Sequence, residues 1–505
     1  MLATIQKSPG GIQDARRTAL SVFVFTCAGA IASEIAAPVP LTNVPPDHPL
    51  IGDWAGQATS EGASAGVAFR FERQDDGGLV AFFSLPQTNI VNAKLGPVKL
   101  EDGAFRFYDF RMNLDPSGTR LTGYLPFYAR RLEMEATKGA KLPVILETQP
   151  SGKEPSPAWT FSAGAPLWSS PAVRGDRVYF GSHDGKFHAL DARSGKPAWT
   201  FEARGAIVAR PTFDATGIYV PSDDGHLYKL DREGRQVWHF DLQGAGVARE
   251  LPGVRKYAYD YFASSATLAD DSLYIGSADG HLYALDPQTG TQRWRFRTGD
   301  IVRSTPVVSH GSVLFGSRDG LVYALDAGTG ALRWKRATGD VVNSSPTLVG
   351  HSVVVGSRST DLYALDVETG AARWKYFYWM SWVESSAVLR ERTLYIGSSD
   401  YQRLYALDAQ SGRELWWYDT AGSSWSTPAV TADAVYIGVV GTTGYSMDHR
   451  GGFRAVERKS GREKWRMTFK PAEGQFTHGV ASSPAVAHGL VFFGGLDGTF
   501  YAVAQ

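Results

Sequence analysis

The chain has 505 residues, among them 55 glycines, one cysteine, and 51 basic side chains against 51 acidic ones. That length exceeds one compact core and calls for several units or a repeat array. Balanced charge gives no field toward nucleic acid or anionic membranes, which excludes nucleic acid as the main partner. With Cys27 alone there is no internal disulfide framework, zinc–cysteine cluster or Cys-x-x-Cys-His haem attachment.

Arg16-Arg17 precede an apolar run, Thr18–Ala32, that is short beside the roughly 20 residues of a membrane span. Ala30-Ile31-Ala32 fits a small-x-small cleavage site. Residues 1–32 therefore read as a signal peptide cut near Ala32-Ser33, which predicts a periplasmic or secreted protein. The alternatives are a retained anchor, a lipid anchor on Cys27 and a twin-arginine signal. Phe25-Thr26 and Thr18-Ala19-Leu20 suit the last two poorly.

Residues 33–49, rich in proline, form neither helix nor ladder and read as a spacer. In 50–138, alternating segments at Gly66–Glu72, Leu79–Ser84, Gly103–Phe110, Arg120–Leu125 and Arg131–Thr137 are separated by turn residues. That pattern predicts a small antiparallel β domain, a curved sheet or partial barrel. Its Gly52-Asp53-Trp54 opening resembles the first strand of lipocalin-type barrels, with Trp54 as an end plug. Gly62-Ala63-Ser64-Ala65-Gly66 has the letters of a nucleophile elbow but lacks the buried strand before it and the helix after it. Residues 139–156 read as a second linker.

From 157 to 505 one unit recurs. In Gly276–Phe296, Asp279-Gly280 reads as a type I′ hairpin turn, His281–Leu285 as a half-buried strand, and Thr289-Gly290 as a turn into an outer strand ending in Trp294. The Gly-x-x-x-Trp ending appears at Trp199, Trp238, Trp294, Trp334, Trp374, Trp416 and Trp465. Most intervals are about 40 residues, the length of one four-stranded propeller blade. Inner strands start near Pro171, Pro211, Ala266, Pro306, Pro346, Ala387, Pro428 and Pro484, one more start than there are Trp endings. Pro157-Ala-Trp-Thr-Phe161 repeats Pro197-Ala-Trp-Thr-Phe201 with no blade before it, so 157–161 is expected to supply the last blade's outer strand and close the ring. The predicted class is all-β: an eight-bladed propeller behind a small antiparallel β domain. Loop insertions fall at Leu242–Phe262, Gly438–Gly452 and Thr468–Gly479.

The run Leu-Tyr-Ala-Leu-Asp-x-x-Thr-Gly-x-x-x-Trp, nearly complete at 282–294, 322–334, 362–374 and 404–416, resembles the PQQ-like repeat of quinoprotein-type propellers. The resemblance covers 157–505. It implies that each Trp docks one blade on the next. It also implies one of two classes: quinoprotein dehydrogenases, which hold pyrroloquinoline quinone (PQQ) and usually calcium at the axis, or non-enzymatic propellers such as the scaffold lipoprotein of the outer-membrane barrel-assembly machinery.

Function in a propeller concentrates where inner strands start around the axis. The residue three before each aligned Pro or Ala is Trp168, Val208, Ala263, Arg303, Asn343, Glu384, Trp425 and Ala481. Glu384 beside Asn343 is a hard-cation pair, Arg303 suits a carboxylate or quinone oxygen, and Trp168 and Trp425 suit stacking on a flat ring. Trp382 and His478 lie in nearby loops, with Tyr378 and Trp379. These residues are the candidate cofactor site, with Asn343 and Glu384 as its metal ligands. The bland reading is a solvated funnel in which Arg303 and Glu384 pair through Asn343. No second carboxylate offers itself as a catalytic base. The leading expectation is a monomeric binding or scaffold module for an envelope protein or small ligand; the alternative is a PQQ-dependent alcohol or sugar dehydrogenase. A Trp-rich funnel that binds a small molecule or glycan without turnover is the third.

Overall fold

The computed structural model describes residues 39–86, 90–127, 130–141, 154–243, 263–379, 381–443, 449–471 and 476–505. The expected signal peptide, Cys27 and much of the expected insertions lie outside these residues. The chain separates into two compact units, one before residue 147 and one of residues 147–443 and 449–505.

The first unit is a ten-stranded antiparallel sheet. Gly52–Ser60 and Ala63–Arg73 form its longest hairpin, turning at Glu61-Gly62, both at positive φ. Ser64 therefore sits on a strand and not on an elbow. The segment expected as one strand over Gly103–Phe110 is broken. Tyr108 takes a left-handed φ of 55° and divides Ala104–Phe107 from Phe110–Leu114. Phe69, Phe71, Phe83, Phe107 and Phe110 fill the interior, with Phe69 5.4 Å from Phe83 between ring centres. Trp54 is fully buried and its indole N–H donates to the Leu50 carbonyl at 2.9 Å.

The second unit is an eight-bladed propeller, seven sheets of four strands and one of five. Blade 4 shows the plan: Val307–Ser309, Ser312–Gly316, Leu321–Asp326 and Leu332–Ala337, each antiparallel to the last. Pro157–Ser162 pairs with Thr499–Ala504, so one sheet joins the two ends of the propeller segment. In the seventh blade Ala434–Thr442 also pairs with Thr477–Gly479, which accounts for the fifth strand.

Two local readings change. His281–Leu285 is buried along nearly its whole length rather than on one face, because neighbouring blades cover both faces of the sheet. At the hairpin, Gly280 has φ of 83° while Asp279 does not reach positive φ. The Gly280 N–H donates to the Ser277 carbonyl, so the loop is a type I turn ended by a left-handed glycine. The aspartate serves its own strand, since Tyr283 Oη donates to Asp279 Oδ2 at 2.7 Å. Tyr228–Asp224, Tyr323–Asp319 and Tyr501–Asp497 repeat that bond.

The glycine and the tryptophan of Gly-x-x-x-Trp recur together for a physical reason: the tryptophan of one blade docks on the glycine of the next blade's motif. Trp294 packs over Gly330 of the next blade, where a Cβ would meet the indole at 2.7 Å, and its N–H donates to the Ala327 carbonyl at 3.1 Å. Trp159 on Gly195, Trp199 on Gly234, Trp334 on Gly370 and Trp416 on Gly461 repeat the arrangement. Each glycine also has positive φ, so the motif carries a turn and a docking surface in one residue. Within a blade the same Trp pairs across the ladder with a small residue, as Trp294 does with Ala284.

One buried histidine makes stability depend on pH. His188, between Phe161 and Phe180, has its pKa lowered from 6.5 to about 4, chiefly by burial. The folded state keeps it neutral while the unfolded chain protonates below 6.5, so stability is lost as pH falls from 6.5 toward 4. At about 1.4 kcal/mol per pH unit, going from pH 7.5 to 4.5 should cost wild type on the order of 2–3 kcal/mol through this group. Urea titrations at both pH values should show a smaller loss in His188→Phe by that amount; equal losses would refute the assignment.

Candidate functional site

The start of each inner strand sets the axis. In Ser-Ser-Pro, the first serine clips its own blade: Ser344 Oγ accepts the Gly356 N–H at 2.9 Å, and Ser482 Oγ accepts the Gly494 N–H at 2.9 Å. The second hydroxyl links blades. Ser265 N donates to Thr305 Oγ1 at 2.9 Å, Thr305 N to Ser345 Oγ at 3.0 Å, and Ser345 N to Ser386 Oγ at 2.8 Å. Thr427 N and Ser483 N donate in the same way to Ser483 Oγ and Ser170 Oγ. The result is a belt of hydroxyls around the axis, with Arg210 in place of a hydroxyl in the second blade and no link from Ser386 to Thr427 among the described residues. Sequence reading at the position three before proline missed this belt; the position one before proline carries the signal.

Beside the belt, Trp168, Val208, Trp425, Val440 and Leu496 pack into an apolar plug, with Ala263, Trp382 and Ala481 at its edge. Trp168 and Trp425 are both buried, and Trp425 Nε1 donates to Ser399 Oγ at 2.9 Å. The two tryptophans share this cluster and also face the axial cavity on its belt side.

Asn343 and Glu384 also meet. Asn343 Nδ2 donates to Glu384 Oε2 at 3.2 Å, and Arg358 Nε donates to Glu384 Oε1. All three residues are buried, and the Arg358 guanidinium lies 4.5 Å from the Trp382 ring centre. Arg358, at a hairpin turn, was not among the expected residues; the partner foreseen for Glu384 was Arg303. Arg303 lines a cavity of about 40 Å³ with Asp223, Ala263 and Ser277. His478 serves the seventh blade's extra strand. Its Nε2 accepts the Gly451 N–H at 3.2 Å, and a Cβ on Gly441 would fall 2.4 Å from its ring. Burial lowers its pKa.

These residues do not suit calcium with a quinone. Calcium takes about 6–8 oxygen ligands, and both Glu384 oxygens already accept bonds, one from a guanidinium that cancels the charge. Asn343 Oδ1 is buried without a hydrogen bond among the described residues. Among the described residues no group of three or more His, Cys, Asp or Glu is placed to hold a metal.

The family model for outer membrane protein assembly factor BamB matches residues 149–260, 260–381 and 378–505. The chain belongs to this family. No curated protein is detectably similar in sequence. Among solved structures, BamB from Moraxella catarrhalis aligns with 19% identity over 70% of this chain and 100% of its own, with a TM-score of 0.51. The quinohemoprotein alcohol dehydrogenase from Comamonas testosteroni aligns with 14% identity over 70% and 76%, with a TM-score of 0.53. The computationally designed Ika8 protein reaches 0.54 at 15% identity, over 71% and 100%. At such identities the structural likeness shows the shared propeller fold. Among the described residues no helix is long and apolar enough to cross a membrane.

Proposed function

We propose that this family member is a non-catalytic binding module of the bacterial cell envelope, acting on a protein partner in outer-membrane assembly. The observation that supports it is the use of the axial polar residues on one another: Glu384 is committed to Arg358 and Asn343, and Trp425 to Ser399. Chemistry needs groups turned toward a substrate, and these are turned inward. In this reading residues 157–505 are the docking module, 50–138 an attached β domain, and residues 1–32 a signal peptide that directs export and is cut near Ala32-Ser33.

An outward surface is available for the partner. On the sixth blade's outer strand, Leu415 and Trp417 stand on one face at 44% and 39% exposure. Exposed aromatic and aliphatic neighbours on a rigid strand are the usual anchors of a protein interface. A photo-crosslinking residue at Trp417, in protein expressed in its native envelope, is expected to yield adducts with outer-membrane assembly proteins. Mass spectrometry of the recovered protein would at the same time locate the mature N-terminus. Absence of any envelope-protein adduct, together with reduction of a dye by the PQQ- and calcium-treated protein, would overturn the reading.

A further inference from the structure

The axis of the propeller holds a cavity of about 1200 Å³ that lies on the belt side of the apolar plug. Its inner end is Trp168, Val208 and Trp425; its outer end reaches Gly175 and His488, where inner strands turn back. Among its described lining residues there is no Asp or Glu, and Arg210 is the only residue bearing a permanent charge.

Two hydrogen-bond accounts point the same way. The Arg210 side chain makes no hydrogen bond or ion pair with the described residues; only its backbone N–H is used, toward Ser265 Oγ at 3.1 Å. Its surface is exposed to the lumen, yet protein surrounds it closely enough to lower its pKa by desolvation. A guanidinium in that position gains from any anion that reaches it. The belt hydroxyls, for their part, accept N–H groups from neighbouring blades: Ser265, Thr305, Ser345, Ser386, Ser483 and Ser170 are all used as acceptors. None of them donates to an acceptor among the described residues, so their O–H groups are left to point at whatever occupies the lumen. A ring of free donors, one unpaired guanidinium and no acid make an anion site.

We propose that this lumen binds a small apolar monocarboxylate, its carboxylate on Arg210 and the hydroxyl belt and its body extending toward the mouth. One planar fork matches one planar carboxylate bidentately, whereas a phosphate dianion would be left half-neutralised. From the belt outward the wall is apolar, through Val173, Phe213, Val388, Val430 and Val486. The site is separate from the outer strand of the sixth blade and does not rest on the scaffold role.

The test uses the full chain and octanoate as probe, with octan-1-ol as the neutral control, by calorimetric titration. Wild type should bind octanoate saturably, one per chain, and octan-1-ol at least about tenfold more weakly, the scale of one charge-assisted pair. Arg210→Ser completes the belt with the residue type found in other blades and supplies an acceptor where Ser170 N faces the gap, so it should keep or raise the melting temperature. It should also weaken octanoate at least about tenfold without changing octan-1-ol. Arg210→Gln gives the same comparison should the serine variant lose stability. No octanoate binding by wild type, or equal binding by the arginine variants, overturns the proposal. Tighter binding of octyl phosphate than of octanoate overturns the carboxylate assignment.

Discussion

Trp294→Ala is expected to destabilise the propeller by about 3–5 kcal/mol, and Gly330→Ala in the neighbouring blade by about 2–4 kcal/mol. The first removes a large buried side chain at a blade interface together with its bond to the Ala327 carbonyl. The second has two parts: a Cβ at φ of 73°, and a clash 2.7 Å from the Trp294 indole. Only the clash depends on the tryptophan. In the double variant, then, Gly330→Ala should cost no more than the about 1–2 kcal/mol of a left-handed non-glycine residue. Equilibrium denaturation of the two single variants and the double variant measures this coupling. Costs that simply add would mean that Trp294 and Gly330 do not act as one joint, and that the recurring glycine records turn geometry alone.

That joint explains why the architecture could be read from the chain. A residue needed for two reasons at once leaves a regular mark, and Gly-x-x-x-Trp leaves it in blade after blade. The duplicated Pro-Ala-Trp-Thr-Phe at 157 and 197 is legible for the same reason: outer strands share one register against the third strand. Burial was harder to read. His281–Leu285 alternates in letters, yet neighbouring blades enclose both faces, and alternation in a single strand cannot report a second covering sheet. The break at Tyr108 was invisible because nothing in Phe107-Tyr108-Asp109-Phe110 is a glycine or proline.

At the axis the structure sets Arg358 on Glu384, a residue the reading of the repeat did not single out. Asn343 and Glu384 do meet, because one position per blade projects toward neighbouring blades. Arg358 escaped notice because it comes from a different position in the repeat, the turn after the second strand, where Ser357 and Ser359 flank it. Arg210 escaped for the opposite reason. Its position looks monotonous, serine or threonine in the other blades, and interest lies in the exception. Repeats hide function at positions where one unit departs from the rest, whether or not the residue types resemble a known site.

Glu384→Gln decides what the buried cluster is, through the sign of its effect. If Glu384 is held by Arg358, removing its charge takes this buried counter-ion from a buried guanidinium, and stability should fall by about 3–5 kcal/mol. Arg358 lies against the Trp382 ring and cannot swing to solvent without giving up that contact as well. Replacing both charged residues, as in Arg358→Leu with Glu384→Leu, should recover part of the loss, since two apolar side chains avoid the desolvation that a lone charge suffers. A carboxylate arranged as a ligand for a missing cation would behave in the opposite manner: neutralising it would relieve the apoprotein, and calcium would raise the melting temperature of wild type but not of the variant. Thermal denaturation of the three proteins with and without calcium separates these cases. Loss of stability in Glu384→Gln, with no response to calcium, is the outcome that follows from a carboxylate already occupied on both oxygens. It would also leave the lumen on the far side of the tryptophan plug as the place where this propeller meets a small anion.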